Sequence, residues 1–346
     1  MNYSRREFGA LTLAGLPASW VLAKMPPALS LSPLDFARGD PELVEGSKGL
    51  AARAKIDSRI KGVQIGAITY SFRSIPNAED IIKAYVSIGL GEMELMSNHA
   101  EALAGAPSGR GGGPGGGAGR GAAPTPEQQA AREAAAKALR DWRMSATAAI
   151  FKPVRQKIED AGIDLELLCY NMNVRTTKDD EIEYAFMMAK WLDVEAISTS
   201  TQVSMAKRLA PFAEKHKMLV GFHGHANTTD PDEVARPESF EAVMAASKYL
   251  GANLDIGHYT EAGYDPVAFI QRHHARITNL HLKDKKKAAN GGGNTPWGQG
   301  DTAIKDVLKL LQKNKWNIPS NIEFEYAGDP LVEIPKCVQF CKDALA

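Results

Sequence analysis

Residue types that bind divalent cations recur in the second half of the chain, each beside a short apolar run. Four segments carry them, and they read FHGH (222–225), LDIGH (254–258), NLHLKD (279–284) and IEFEY (322–326). An earlier segment, EMELM (92–96), adds Glu94, and His99 follows it. Carboxylates mixed with imidazoles suit Mn²⁺, with Zn²⁺, Co²⁺, Fe²⁺ and Mg²⁺ as alternatives. The pattern therefore predicts a divalent metal site.

The polar residues alternate with apolar ones, as they do in a strand that has one polar side. Residues two apart in a strand point the same way. Three same-side pairs follow: His223 with His225, His281 with Lys283, and Glu323 with Glu325. One inward histidine is more often a hydrogen-bonded structural residue, and Glu323 by itself could pair with Lys283. Convergence of four such segments favours a metal, because buried ionisable groups are costly unless they are paired or bound to a cation.

Short apolar runs alternate with helical patterns from residue 61 to residue 346, which predicts β/α units. The predicted strands are Val63–Phe72, Glu92–Met96, Leu165–Tyr170, Ala196–Ser200, Leu219–His223, Ala252–Ile256, Thr278–Leu282 and Asn321–Phe324. Eight such units joined by right-handed crossovers close into an α/β (β/α)₈ TIM barrel. An open doubly wound sheet is the alternative, but no Gly-rich dinucleotide turn follows the first strand. Barrel enzymes carry their sites at the C-terminal ends of the strands, where the polar segments lie.

The N-terminal segment has the pattern of an export signal. The pair Arg5-Arg6 precedes an uncharged stretch from Gly9 to Ala23. This pattern predicts a twin-arginine signal over residues 1–23, recognised by the twin-arginine export machinery, and a periplasmic or otherwise exported protein. The stretch is too short for a stable membrane span, and none is expected after cleavage. Residues 24–60 are predicted to be a linker.

Composition excludes some partners and marks one insertion. The 41 basic residues equal the 41 acidic ones, which argues against a nucleic-acid partner. A glycine-rich insertion at about 104–124, after the second predicted strand, is expected to be disordered. The loop from Lys283 to Asp301 is also rich in glycine. In it, Trp297 is a candidate to stack on a sugar ring, and Asp301 is expected to cap the next helix.

From Val63 onward, the sequence resembles the sugar phosphate isomerase/epimerase family of xylose-isomerase-like barrels, which includes inosose dehydratases, ketose 3-epimerases and endonuclease IV. The segments LDIGH, LHLKD and IEFEY carry the resemblance. In ketose epimerases the ligands are a glutamate, an aspartate, a histidine and a glutamate on strands four, six, seven and eight. The resemblance thus implies Asp255 and His281 as ligands, and it leaves Glu323 and Glu325 both open.

The fourth predicted strand departs from that pattern, because it ends in Ser-Thr-Ser-Thr with no carboxylate. Glu195 lies at its opposite end. His225 or Glu94 is expected to supply the missing ligand, with His225 preferred. The departure also removes one of the two glutamates that move the proton in the epimerases.

These residues point to a metal-dependent isomerase or epimerase acting on a sugar, keto-sugar or cyclitol through an enediolate. Glu323 or Glu325 is expected to move the proton, with Glu94, His223 or Lys283 as the second group. His99, His258 and Trp297 are the expected substrate-binding residues. A dehydratase or glycoside lyase is an alternative, and so are a metal-dependent phosphodiesterase and a non-catalytic sugar-binding barrel. Export favours an unphosphorylated carbohydrate.

Overall fold

Eight parallel strands follow one another around a closed sheet in a computed structural model, which describes residues 54–107 and 125–346. The strands are β2 (Val63–Ile68), β3 (Glu92–Met96), β4 (Asp164–Cys169), β5 (Ala196–Thr199), β6 (Leu219–His223), β7 (Leu250–Asp255), β8 (Ile277–Leu282) and β9 (Ser320–Ile322). Each strand pairs with the next, and β9 pairs with β2 to close the ring. The predicted (β/α)₈ barrel is confirmed.

A short strand, β1 (Arg59–Ile60), precedes the barrel and pairs antiparallel with β2. Lys61 and Gly62 form the tight turn between them, both with positive φ, which suits a two-residue hairpin. The backbone N–H of Ile56 also donates to the carbonyl of Gly162 at 2.8 Å. The chain therefore joins the barrel a few residues before the predicted boundary at residue 61.

Helices cover the outside of the ring and connect the strands. They are α1 (Ala78–Ile88), α2 (Ser97–Leu103), α3 (Pro126–Ser145), α4 (Ala148–Asp160), α5 (Asp179–Trp191), α6 (Ala206–His216), α7 (Pro237–Ala246), α8 (Ile256–Glu261), α9 (Pro266–His273), α10 (Ile304–Asn314) and α11 (Pro330–Leu345). Helix α8 was not expected, since the sixth predicted strand ran through Ile256. It begins there because the Asp255 side chain caps it and ends β7.

Two layers fill the molecule, and they differ in polarity. Between strands and helices lies an apolar layer that includes Phe222, Leu280 and Ile322, all fully buried. Inside the ring, below the C-terminal mouth, the buried residues are polar: Glu94, Ser198, Asn253, Asn279 and Asn321. The apolar layer holds the barrel together, so the interior can carry a polar site at the mouth.

The predicted export signal, most of the predicted linker and most of the glycine-rich insertion lie outside the described residues. Within the described ranges, no helix is long and apolar enough to cross a membrane.

Candidate metal centre

Four side chains converge at the mouth of the barrel. His223, Asp255 and His281 lie at or near the C-terminal ends of β6, β7 and β8, and Glu323 directly follows β9. Asp255 and His281 are register partners in neighbouring strands. All four are buried, and their nitrogen and oxygen atoms lie within 4.8 Å of one another. Two imidazoles and two carboxylates at this spacing match the donor set of a divalent metal site.

Asp255 is oriented so that one oxygen is fixed and the other faces the cluster. Its Oδ1 accepts the backbone N–H of His258 in the first turn of α8, at 2.7 Å. Its Oδ2 lies 3.4 Å from Nε2 of His223 and 3.1 Å from Nζ of Lys283, and among the described residues neither Oδ2 nor Nε2 makes a hydrogen bond. Buried polar atoms are seldom left unpaired, so these two point to a missing partner between them. A divalent cation fits that position.

His281 lies between two carboxylates, one on each ring nitrogen. Nδ1 is 2.9 Å from Oε2 of Glu323, inside the cluster, and Nε2 is 2.7 Å from Oε2 of Glu94. Burial lowers the pKa of an imidazole, but Glu94 and Glu323 outweigh it here and raise the pKa of His281 well above its usual value. With a cation on Nδ1, the Nε2–H would still donate to Glu94. Such carboxylate–histidine pairs fix the orientation of metal-binding imidazoles.

Glu94 supports the cluster from below. Besides His281, the side-chain amides of Asn279 and Asn321 donate to its Oε2 at 2.9 Å, and Ser198 donates to Oε1. Burial raises the pKa of a carboxyl group, but His281 and these donors outweigh it and keep the pKa of Glu94 below its usual value. Glu94 is fully buried beneath the site and outside the cavity lining. The structure thus places it under His281, away from the reacting position that the sequence suggested.

Lys283 lies among three carboxylates. Its Nζ is 3.1 Å from Oδ2 of Asp255, 2.9 Å from Oε2 of Glu323, and in contact with Glu325. Burial lowers the pKa of a lysine, yet these three carboxylates raise the pKa of Lys283 well above its usual value. The side chain is therefore an ammonium ion.

A cavity of about 280 Å³ opens above the cluster. Its two walls differ in chemistry. The polar wall carries the cluster residues His223, His281 and Glu323 together with Asn171, Ser200, His225, Asn253, His258, Lys283 and Glu325. The opposite wall is formed by Ile68, Tyr70, Met96 and Cys169, which also pack together as a small hydrophobic cluster. A ligand of this cavity is expected to have one oxygen-rich edge and one apolar face.

Comparisons with known proteins agree with this geometry. Residues 195–343 match the family model described as xylose isomerase-like TIM barrel. A solved structure of the probable 3-DHS dehydratase AsbF from Bacillus anthracis superposes with a TM-score of 0.56 at 15% identity, covering 80% of this chain and 99% of that one. Over residues 195–343 the chain is similar to this family, and its fold is that of a TIM barrel. The sequence has no significant match among curated proteins.

Two further solved structures share this fold. A sugar phosphate isomerase/epimerase from Parabacteroides distasonis has a TM-score of 0.54 at 14% identity, covering 85% of this chain and 99% of that one. The IolI protein, solved with a bound zinc atom, has a TM-score of 0.54 at 11% identity, covering 82% and 96%. At these identities the likeness shows the fold alone.

In this barrel, the fourth member of the cluster is His223, whereas the sequence favoured His225. His225 follows the end of β6, where strand alternation no longer applies. Its Nδ1 is 2.7 Å from Oε1 of Glu233 and its Nε2 is 3.2 Å from Oγ of Ser200. It lines the cavity beside the cluster, with its ring centroid 4.9 Å from that of His223. As the sequence indicated, β5 brings no carboxylate to the cavity lining. The residue that follows this strand and lines the cavity is Ser200.

The two glutamates after β9 occupy different positions at the mouth of the barrel. Glu323 belongs to the cluster, and Glu325 lies farther out on the cavity wall against Lys283. Strand β9 ends at Ile322, so both glutamates lie in the segment that follows it.

Of the three expected substrate-binding residues, one lines the cavity and two do not. His258 lines the cavity. His99 does not, and its Nδ1 is 2.9 Å from Oγ1 of Thr69. Trp297 is also outside the cavity lining, because it packs against Phe340 of α11 with ring centroids 5.6 Å apart. Its proposed stacking on a sugar is therefore not supported by this geometry.

The loop after β8 is held by Asp284, a residue to which the sequence analysis gave no role. Its carboxylate accepts the backbone N–H groups of Gly298, Gly300 and Thr302 at 2.7, 3.0 and 3.2 Å. Asp301 does not cap α10 as expected. Its Oδ2 instead accepts the backbone N–H of Lys287 at 2.8 Å, within the loop.

Sequence analysis also missed Tyr70, Asn171, Asn253 and Ser200 on the cavity wall. A signal existed for Asn253, Asn279 and Asn321, which stand two residues before Asp255, His281 and Glu323. Strand alternation places each of them on the same side as the residue two positions later.

Proposed function

We propose that this protein is a metal-dependent isomerase or epimerase that acts on a sugar, keto-sugar or cyclitol. The observation that carries the proposal is the cluster of His223, Asp255, His281 and Glu323 at the mouth of the barrel, in which two facing buried atoms make no hydrogen bond to any described residue. The mixed nitrogen and oxygen donors suit Mn²⁺ first, with Zn²⁺, Co²⁺, Fe²⁺ and Mg²⁺ as alternatives.

A divalent cation held there would polarise a substrate carbonyl, so that the neighbouring C–H is acidified and the enediolate is stabilised. The side chains of the cavity then have separate tasks. Glu325 is the carboxylate on the cavity wall outside the cluster, and it accepts the carbon-bound proton. Ser200 and His225 bind substrate hydroxyl groups on the polar wall. Tyr70 and Met96 pack against the apolar face of the sugar.

An unphosphorylated substrate fits the charges of the cavity. Phosphate recognition usually needs arginine, lysine or a set of backbone N–H groups. Among the described residues that line the cavity there is no arginine, and its lysine, Lys283, is already paired with three carboxylates. The twin-arginine signal proposed for residues 1–23 agrees with a substrate met outside the cytoplasm.

One observation favours a second candidate, a dehydratase or glycoside lyase on a keto-sugar. The two-glutamate shuttle implied by the resemblance is not assembled, because β5 is followed by Ser200 where a carboxylate was implied. One carboxylate suffices to remove a proton when the same enediolate then expels a β-substituent. The fold neighbour named as a probable dehydratase is compatible with this reaction class.

The test is turnover of a panel of free ketoses, keto-glycosides and cyclitols by the purified protein, after metal removal and after reloading with each divalent metal. We expect substrate C–H protons to exchange with deuterated water in the metal-loaded protein and not after chelation. Epimeric products identify an isomerase, and unsaturated or ring-opened products identify a lyase. Glu325→Gln should abolish the exchange while Glu333→Gln, on α11, leaves it intact. A protein that binds the metal but exchanges and converts nothing would be a non-catalytic sugar-binding barrel.

A further inference from the structure

Lys283 occupies an unusual place for a lysine. It follows β8 directly, its side chain is 3% exposed, and its Nζ contacts Oδ2 of Asp255 and Oε2 of Glu323, the two carboxylate oxygens that lie nearest to Nε2 of His223. Glu325 holds it from the outer side. The ammonium ion of Lys283 thus neutralises part of the negative charge of these carboxylates.

Charge counting separates this lysine from its neighbour Lys285. Lys285 is also buried, but it pairs with Glu261 at 2.7 Å and makes no contact with the cluster. Around Lys283, three carboxylates face one permanent cation, which leaves two negative charges. One divalent ion cancels them. Buried charge that is left uncompensated is costly. We therefore expect the charges of the three carboxylates, Lys283 and one bound divalent ion to sum to zero.

A nucleophilic role for this lysine is disfavoured by the same contacts. An amine attacks a carbonyl only in its neutral form, and lysines used in this way are desolvated or lie next to other cations. Lys283 is surrounded by carboxylates, which stabilise its charged form.

We infer that Lys283 is a resident cation of this centre: it holds Asp255 and Glu323 in place before the metal arrives, and it shares their oxygen atoms with the metal afterwards. The inference rests on the metal centre of the proposed function. Two consequences follow from electrostatics. Without metal, the lysine stabilises the fold by compensating buried carboxylates. With metal, two cations lie on the same oxygen atoms and repel each other, so the lysine weakens metal binding.

The experiment compares wild type with Lys283→Met in the full chain at one fixed pH. Melting temperature is measured after chelation and again with Zn²⁺, and Zn²⁺ affinity is measured by calorimetry. We expect the chelated variant to melt below wild type, the metal-induced rise to be larger, and the affinity to be at least about ten-fold tighter. Lys285→Met is the matched control, since it removes a buried lysine of the same region but not from the centre. Its Zn²⁺ affinity should equal that of wild type.

Equal or weaker Zn²⁺ binding by Lys283→Met would overturn the inference, and so would an unchanged melting temperature after chelation. If this variant does not fold, Glu325→Gln provides the second test. That substitution removes one of the three carboxylates that contact Lys283, so its ammonium ion is compensated by Asp255 and Glu323 alone. Zn²⁺ should then bind more weakly than in wild type. Unchanged or tighter binding would contradict the inference that Lys283 is a resident cation. A wild-type protein that binds no divalent metal would instead refute the proposed function, which keeps the two failures distinct.

Discussion

Replacing Glu94 by glutamine, compared with the same replacement at Glu92, tests the polar interior of the barrel. Both residues lie on β3 and both are fully buried. Glu94 accepts hydrogen bonds from four side chains, those of Ser198, Asn279, Asn321 and His281, whereas neither carboxylate oxygen of Glu92 lies within hydrogen-bond distance and angle of a donor among the described residues. The same chemical change is therefore expected to have very different costs at two positions of one strand.

The magnitude follows from what each carboxylate does. Glu94→Gln removes one side of a buried charge pair with His281 and turns an amide N–H₂ towards donors. Breaking such a pair costs about 3–5 kcal/mol of the free energy of unfolding. Loss of the carboxylate that orients His281 should also weaken metal binding by about 10–100-fold. Burial, with the charges of Glu166 and Glu94, raises the pKa of Glu92 well above its usual value, so a neutral amide there should change stability by less than about 1 kcal/mol.

The pH dependence of the second variant gives an independent check. A carboxyl group whose pKa is raised on folding contributes stability below its unfolded pKa and loses it as pH rises towards the folded value. Glu92→Gln removes that loss, so its stability relative to wild type should increase as pH rises above about 4.5. Urea denaturation at several pH values measures both variants. Equal destabilisation by the two substitutions would refute the assignment of Glu94 as the supporting carboxylate.

Three further outcomes are expected. Burial lowers the pKa of His99 to about 4, so the unfolded chain takes up this proton first and stability should fall by at most about 3 kcal/mol as pH drops from 6.5 towards 4. His99→Gln should flatten that part of the denaturation profile. Asp284→Ala should cost about 3 kcal/mol and expose the amides of residues 298–302 to hydrogen exchange, with unchanged protection counting against its role. Replacing Arg5 and Arg6 together by lysine should trap the precursor in the cytoplasm, which fractionation and immunoblotting would reveal, and export at the wild-type level would reject the signal.

The barrel and half of its metal cluster could be predicted from local patterns. Asp255 and His281 lie near strand ends and are flanked by fully buried leucine or isoleucine residues, so the sequence indicates both the strand and its polar side. The same rule became ambiguous where a strand ends. His223 is the last residue of β6 and His225 lies beyond it; both line the cavity, but His225 is held by Glu233 and Ser200 outside the cluster.

Other parts of the site depend on contacts between residues that are far apart in the chain. Glu233 orients His225 from a loop eight residues later, and no periodicity marks that loop. Trp297 looked like a candidate to stack on a sugar because the glycines around it would let the backbone come close to a ligand. The carboxylate of Asp284 instead fixes that loop through backbone hydrogen bonds, and the indole packs on α11. Loop conformation of this kind is set by tertiary hydrogen bonds rather than by composition.

Metal content per chain in His223→Ala and His225→Ala tests the central claim most directly. The two histidines are two residues apart and both line the cavity, but His223 alone belongs to the cluster with Asp255, His281 and Glu323. Elemental analysis of the purified, folded proteins should find metal in wild type and in His225→Ala, and little in His223→Ala. Asp255→Ala and His281→Ala should lose the metal as well. Stoichiometric metal in a folded His223→Ala protein, or its loss from His225→Ala with retention in His223→Ala, would contradict the proposed centre.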